Sequence, residues 1–152
     1  MAIAEFNFGT LRFPFGDPRL AGFSDNIARV NAIAQRSPGF IWMIDDDTMD
    51  AVQNDPNGAL ADRPNTASTL SVWQDAASLW HFVHKTMHAK IMAGHDDWFV
   101  RGDRGYLVMW HVAGDHRPTV AEGMARWHDL QQSGETGDIF GGTTLRRMAE
   151  GA

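Results

Sequence analysis

The sequence predicts a single α+β domain over residues 1–152 with ferredoxin-like order: strand, helix, strand, strand, helix, strand, and one appended helix. Three observations predict it. Four short segments show period-two alternation or compact apolar runs, two longer segments between them repeat apolar residues at helical spacing, and a capped helix follows the last strand.

Phe6 to Leu11 alternates Phe6, Phe8 and Thr10 against Asn7, Gly9 and Leu11, which predicts the first strand. Asp17-Pro18 then reads as an N-cap followed by proline at the first helical position, where a missing N–H costs nothing. Leu20, Phe23, Ile27, Val30 and Ala34 recur at helical spacing, so residues 18–36 are helix, broken by Ser37-Pro38-Gly39. Phe40 to Ile44 is a compact second strand. The acidic segment 45–65 has no sustained period and reads as a long connection, its Asp45, Asp46, Asp47 and Asp50 as solvated charge. Ser68 to Trp73 is the third strand, and Asp75 caps a histidine-bearing helix that bends or breaks near Gly94. Tyr106 to Val112 is the fourth strand, with Tyr106, Val108, Trp110 and Val112 on one face. Thr119-Val120-Ala121-Glu122 is a capping box for a helix ending at Gly134, and the tail 138–152 is weakly patterned.

Helices are expected on one side of the sheet. Strands two and four, however, carry large apolar residues on both faces: Phe40, Trp42 and Ile44 opposite Ile41 and Met43, and Trp110 opposite Met109. Something must cover the second face, and the simplest cover is a second copy of the same sheet. The expectation is therefore a homodimeric α+β barrel with a cavity between sheet and helices in each subunit.

Composition narrows the function classes. A net charge of −6 with only 13 scattered Lys and Arg argues against nucleic acid, and no apolar run approaches the ~20 residues that span a bilayer. The absence of cysteine excludes thiolate chemistry and disulfides, and with a start that lacks a secretory pattern it agrees with a cytoplasmic location. Six Trp and nine Phe against one Tyr supply flat apolar side chains, which pack cores and also line pockets for hydrophobic or aromatic small molecules. Gly102-Asp103-Arg104-Gly105 is a turn without the spacing of a phosphate loop.

The segment from Trp73 to Phe99 holds His81, His84, His88 and His95 at spacings of three, four and seven. On one helical run these imidazoles share a narrow sector beside the stripe of Leu79, Trp80, Val83, Met87 and Ile91. A pocket wall would place titratable groups there, and so would a plain amphipathic helix. His84 and His88 at i, i+4, with His81 as a third ligand, form the alternative of a divalent metal site, against which Lys85 stands as a neighbouring cation. Haem on a helical histidine is the other cofactor alternative. His116 organises the turn before the last helix, and His128 reads as a surface residue.

Several residues together resemble a bacterial family known as domain of unknown function 3291, placed among the dimeric α+β barrels. They are Gly9, Leu11 and Pro14; Asp17-Pro18-Arg19 with Phe23; Asn31; Ser37-Pro38-Gly39-Phe40 and Trp42; Ser71-Val72-Trp73; Phe82 and His88; Trp98-Phe99; Trp110; and Gly114, His116, Pro118-Thr119, Glu122 and Arg126. The likeness covers about Phe6 to Arg126. Met43, His95-Asp96-Asp97 and His111 stand where the family's pattern has arginine, a basic run and a second tryptophan. Those departures remove fixed positive charge and add groups that titrate near neutrality.

The resemblance implies relatives that include cofactor-independent monooxygenases, haem enzymes and small-molecule cyclases. The reading is a small-molecule tailoring enzyme of secondary metabolism that needs no cofactor and uses a histidine general base in an aromatic pocket. Its chemistry is of monooxygenase or cyclase/isomerase type. His88 is the first candidate base and His111 the second. Trp42, Met43, Trp73, His84, Met87, Trp98, Phe99 and Trp110 are the candidate substrate-binding residues. A non-catalytic binder of an apolar small molecule is the other class.

Overall fold

The computed structural model describes residues 1–85, 94–100 and 106–151. β1 (Ala2–Thr10) is the central strand, paired antiparallel with β3 (Thr66–Trp73) on one side and β4 (Tyr106–Val112) on the other. β2 (Phe40–Met43) joins β3, and a short β5 (Ile139–Phe140) joins β4, so the sheet runs β2-β3-β1-β4-β5. The first four strands have the ferredoxin-like order that the sequence predicts. β1 begins at Ala2, four residues before the expected start. That shift brings Glu5 into the middle of the sheet, opposite Ser71 and Met109.

The pleat sorts β1 into two sets. Ala2, Ala4, Phe6 and Phe8 point one way, with Val72, Leu70, Trp110 and Val108 beside them. Ile3, Glu5, Asn7 and Gly9 point the other way, with Trp73, Ser71, Thr69 and Ala67. Each face has its own cover. α5 (Val120–Ser133) starts at the capping box, where the Thr119 hydroxyl accepts from the Glu122 backbone N–H, and lays Val120, Met124 and Trp127 on the first set. A Cβ built on Gly123 would lie 2.7 Å from Cγ of Phe6, so only glycine allows this close approach. Arg63 adds its guanidinium over the rings of Phe8, Tyr106 and Trp127 at 5.1 to 5.3 Å. Helices thus lie on both sides of the sheet. The apolar second face that suggested a second copy is met over β1 and β4 by α5, and Met49 and Leu60 of the same chain pack on it as well.

The other face carries α1 (Ala21–Arg36), α3 (Ala76–Lys85) and α6 (Gly142–Glu150). Pro18–Leu20 form a 3-10 turn before α1, capped by Asp17, whose side chain accepts from the Arg19 N–H. α3 buries Ala76, Leu79 and Phe82 against Ile3, Trp73 and Met109, and Leu145 of α6 completes that cluster with Phe140. The tail therefore holds a strand and a helix where the sequence shows weak patterning. The acidic segment differs as well: Asp46–Asn54 is α2, whose N-cap Asp45 accepts from the Thr48 backbone N–H and hydroxyl, both at 2.8 Å. Asp46 and Asp47 lie in its first turn, where carboxylates oppose the positive helix end. A short α4 (His95–Trp98) precedes β4.

Candidate active site

α1 stands off the sheet. Within Ala21–Arg36 only Ala34 is fully buried, while Phe23, Ile27 and Val30 line a cavity of about 570 Å³ between helix and strands. Among the described residues, Leu79, Phe82 and Val83 of α3 form a second wall, and Trp98 and Phe99 a third. That third wall is pinned to the end of β1 by backbone bonds from Arg12 N to Trp98 O (2.8 Å) and from Val100 N to Thr10 O (2.9 Å). Gly9 lets the Phe99 ring lie on the strand, since a Cβ there would meet its Cδ1 at 2.9 Å. The Phe23 ring meets Phe99 edge-on at 5.4 Å. Phe15 and Leu107 line the cavity and are exposed, which marks the mouth.

The floor is polar. Glu5 is 7% exposed, and its Oε1 accepts from Asn7 Nδ2 while Oε2 accepts from Ser71 Oγ at 3.0 Å. Asn7 Nδ2 also donates to Thr69 Oγ1 at 2.6 Å, and Trp73 Nε1 donates to Ser71 Oγ at 3.0 Å. Trp73 is itself held by Phe82, stacked at 5.1 Å, and by Phe40, edge-on at 5.5 Å. Burial pushes the Glu5 carboxyl up from its ordinary value to about 7, and the bonds from Asn7 and Ser71 hold it back from rising further. An acid with this pKa exchanges protons readily at neutral pH.

The structure divides the sequence-predicted residues. Met43, Trp73, Trp98 and Phe99 line the cavity. Trp42 and Trp110 do not: the register sets them on the α5 side of the sheet, where Trp110 Nε1 donates to Glu122 Oε2 at 3.0 Å. Glu122 also meets His116 Nε2 at 2.9 Å, which ties the turn to the helix as expected. His84 is exposed on α3 with its ring 3.7 Å from that of Trp80, away from the cavity. Partial burial first, then the charges of Lys85 and Arg146, push its pKa below the ordinary range. His111 is half-buried with its ring 5.4 Å from Phe140, outside the cavity lining. His88 and Met87 lie outside the described residues. Among the described residues no three His, Asp or Glu side chains come together to hold a metal ion, and no helix is long and apolar enough to cross a membrane.

Sequence reasoning missed Glu5, Asn7 and Ser71 as a group. The signal was present in the alternation of Ile3, Glu5, Asn7 and Gly9, but a polar strip on a strand ordinarily reads as the wet face of a sheet.

Among solved structures the chain is similar to SnoaB, a cofactor-independent oxygenase from Streptomyces nogalater, at 15% identity and a TM-score of 0.47, covering 80% of this chain and 98% of that one. No curated protein matches it. The chain matches the family described as "Domain of unknown function (DUF3291)" over residues 2–150, and it belongs to that family.

Proposed function

We propose that this protein is a small-molecule tailoring enzyme that carries out cofactor-independent proton-transfer chemistry, of monooxygenase or cyclase/isomerase type, on an apolar or aromatic substrate. The observation that carries the reading is the cavity: about 570 Å³ of largely aromatic and aliphatic wall over a hydrogen-bonded polar floor. Its size suits a ligand of two to four fused or linked rings, and such sites combine apolar walls with a few placed polar groups. Sequestration alone needs no polar floor, and burying one without a use is costly. The metal alternative drew on His84 and His88 with His81 as a third ligand; His81 and His84 are exposed on α3, and His88 lies outside the described residues. A homodimer belongs to the same proposal on the resemblance alone, because α5, Met49 and Leu60 of the same chain already pack on the face that suggested it.

Two neutral aromatic probes test the reading. N-phenyl-1-naphthylamine should bind at one site per chain with enhanced fluorescence, and 2-tetralone should displace it. In D2O the protein should accelerate exchange of the α-hydrogens of 2-tetralone above the buffer rate. Displacement with the α-hydrogens left intact favours the binder instead, and failure to bind either probe removes the cavity as a ligand site.

A further inference from the structure

We propose that Glu5 is the proton-transfer residue of this cavity, acting on a neutral carbon acid or phenol whose flat body lies between β1 and α1. The assignment rests on the cavity reading above and narrows it. Glu5 sits at the centre of the central strand, on the face that α1 leaves open, and it lines the cavity floor. Each of its oxygens takes one donor, from Asn7 or from Ser71. A carboxylate oxygen has two lone pairs, so one remains on each oxygen for a substrate proton. Asn7 and Ser71 are positioning residues. Trp73 fixes Ser71 through its indole N–H, and Thr69 fixes Asn7, so the carboxyl is held in one orientation.

The substrate class follows from charge. Among the described lining residues the charged ones are Glu5, Asp46 and Asp50, all acidic, so an anionic ligand would meet repulsion at the floor and on α2. A neutral ligand avoids that repulsion. In the step itself, the substrate C–H bond breaks and its electron pair passes into the adjacent carbonyl as an enolate. The proton forms an O–H bond on Glu5, and return of a proton to the same or a conjugated carbon regenerates the carboxylate. With a phenol the O–H breaks instead and a phenolate results. The near-neutral pKa of Glu5 suits both directions of transfer.

The exchange of 2-tetralone α-hydrogens in D2O, followed by proton NMR across pH 5 to 9, tests the assignment on the full chain. Wild type should show a rate that rises with pH and levels off above ~7. Glu5→Gln, which keeps the shape and a hydrogen-bonding amide, should lose ~100-fold or more of the protein-dependent rate. Its Kd for N-phenyl-1-naphthylamine should stay within about 3-fold of wild type, which shows that cavity and fold persist. Ser71→Ala should retain exchange with its inflection moved to higher pH, because the carboxylate loses a donor. Wild-type exchange in Glu5→Gln, an unmoved inflection in Ser71→Ala, or binding by wild type without exchange would each overturn the assignment while leaving the cavity reading as a ligand site. Absence of probe binding by wild type would overturn both.

Discussion

Glu5 shows how a single strand residue acquires chemistry from its surroundings. In sequence it is one carboxylate near the chain start; in the fold it is enclosed by Asn7, Ser71 and the wall of α1. Its folded pKa of about 7 exceeds the ordinary 4.5, so the folded state holds the proton more tightly than the unfolded chain does. The stability it contributes is complete below pH 4.5 and is lost as pH rises through about 7. At 1.36 kcal/mol per unit the loss is about 3 kcal/mol. Urea unfolding at pH 5 and pH 8 should therefore show wild type losing about 2–3 kcal/mol more than Glu5→Gln over that interval. Equal pH dependence in the two proteins would place the carboxyl in an ordinary environment. Two of the histidines, more visible in the sequence, fared differently. His84 sits outside against Trp80, and His111 packs against Phe140, because helical and strand position alone did not say which side faces the cavity.

At the scale of elements, what could be read depended on how much apolar surface each element buries. β4 and α5 follow the predicted bounds, since Tyr106 to Val112 alternates cleanly and Thr119 announces the helix start. α2 and α6 were not legible because each is nine residues long with a single buried side chain, Met49 or Leu145, too few to show a period. What holds them is tertiary: Ser68 of β3 donates to Met49 Sδ at 3.0 Å, and Leu145 enters the cluster of Phe140 and Met109. The contact of α5 with the sheet is the tightest of these and gives the clearest test. Gly123→Ala gains helix propensity, about 1 kcal/mol, yet its methyl would enter the fully buried ring of Phe6. Overpacking costs of about 1–3 kcal/mol are usual, so denaturant unfolding should show a net loss of up to about 2 kcal/mol. A stabilised variant would mean that α5 rides higher on the sheet, clear of the Phe6 ring.

For the whole molecule, the fold class was legible from strand and helix order, whereas the site was legible only in part. Met43, Trp73, Trp98 and Phe99 reach the cavity as the sequence suggested. The cavity's polar floor was hidden because alternation says that two faces differ without saying what covers each. Here α5 makes one face an ordinary core, and α1, held away from the other, makes it a site. The fold thereby brings an acidic group and an aromatic enclosure together, while the described histidines His84 and His111 lie outside the cavity lining. A carbon-13 NMR titration of the Glu5 side-chain carboxyl, in protein labelled at that carbon, reaches this arrangement most directly. A buried carboxyl on the cavity floor predicts an inflection near pH 7 that moves when N-phenyl-1-naphthylamine fills the cavity. An inflection near 4.5, unchanged by the probe, would contradict it.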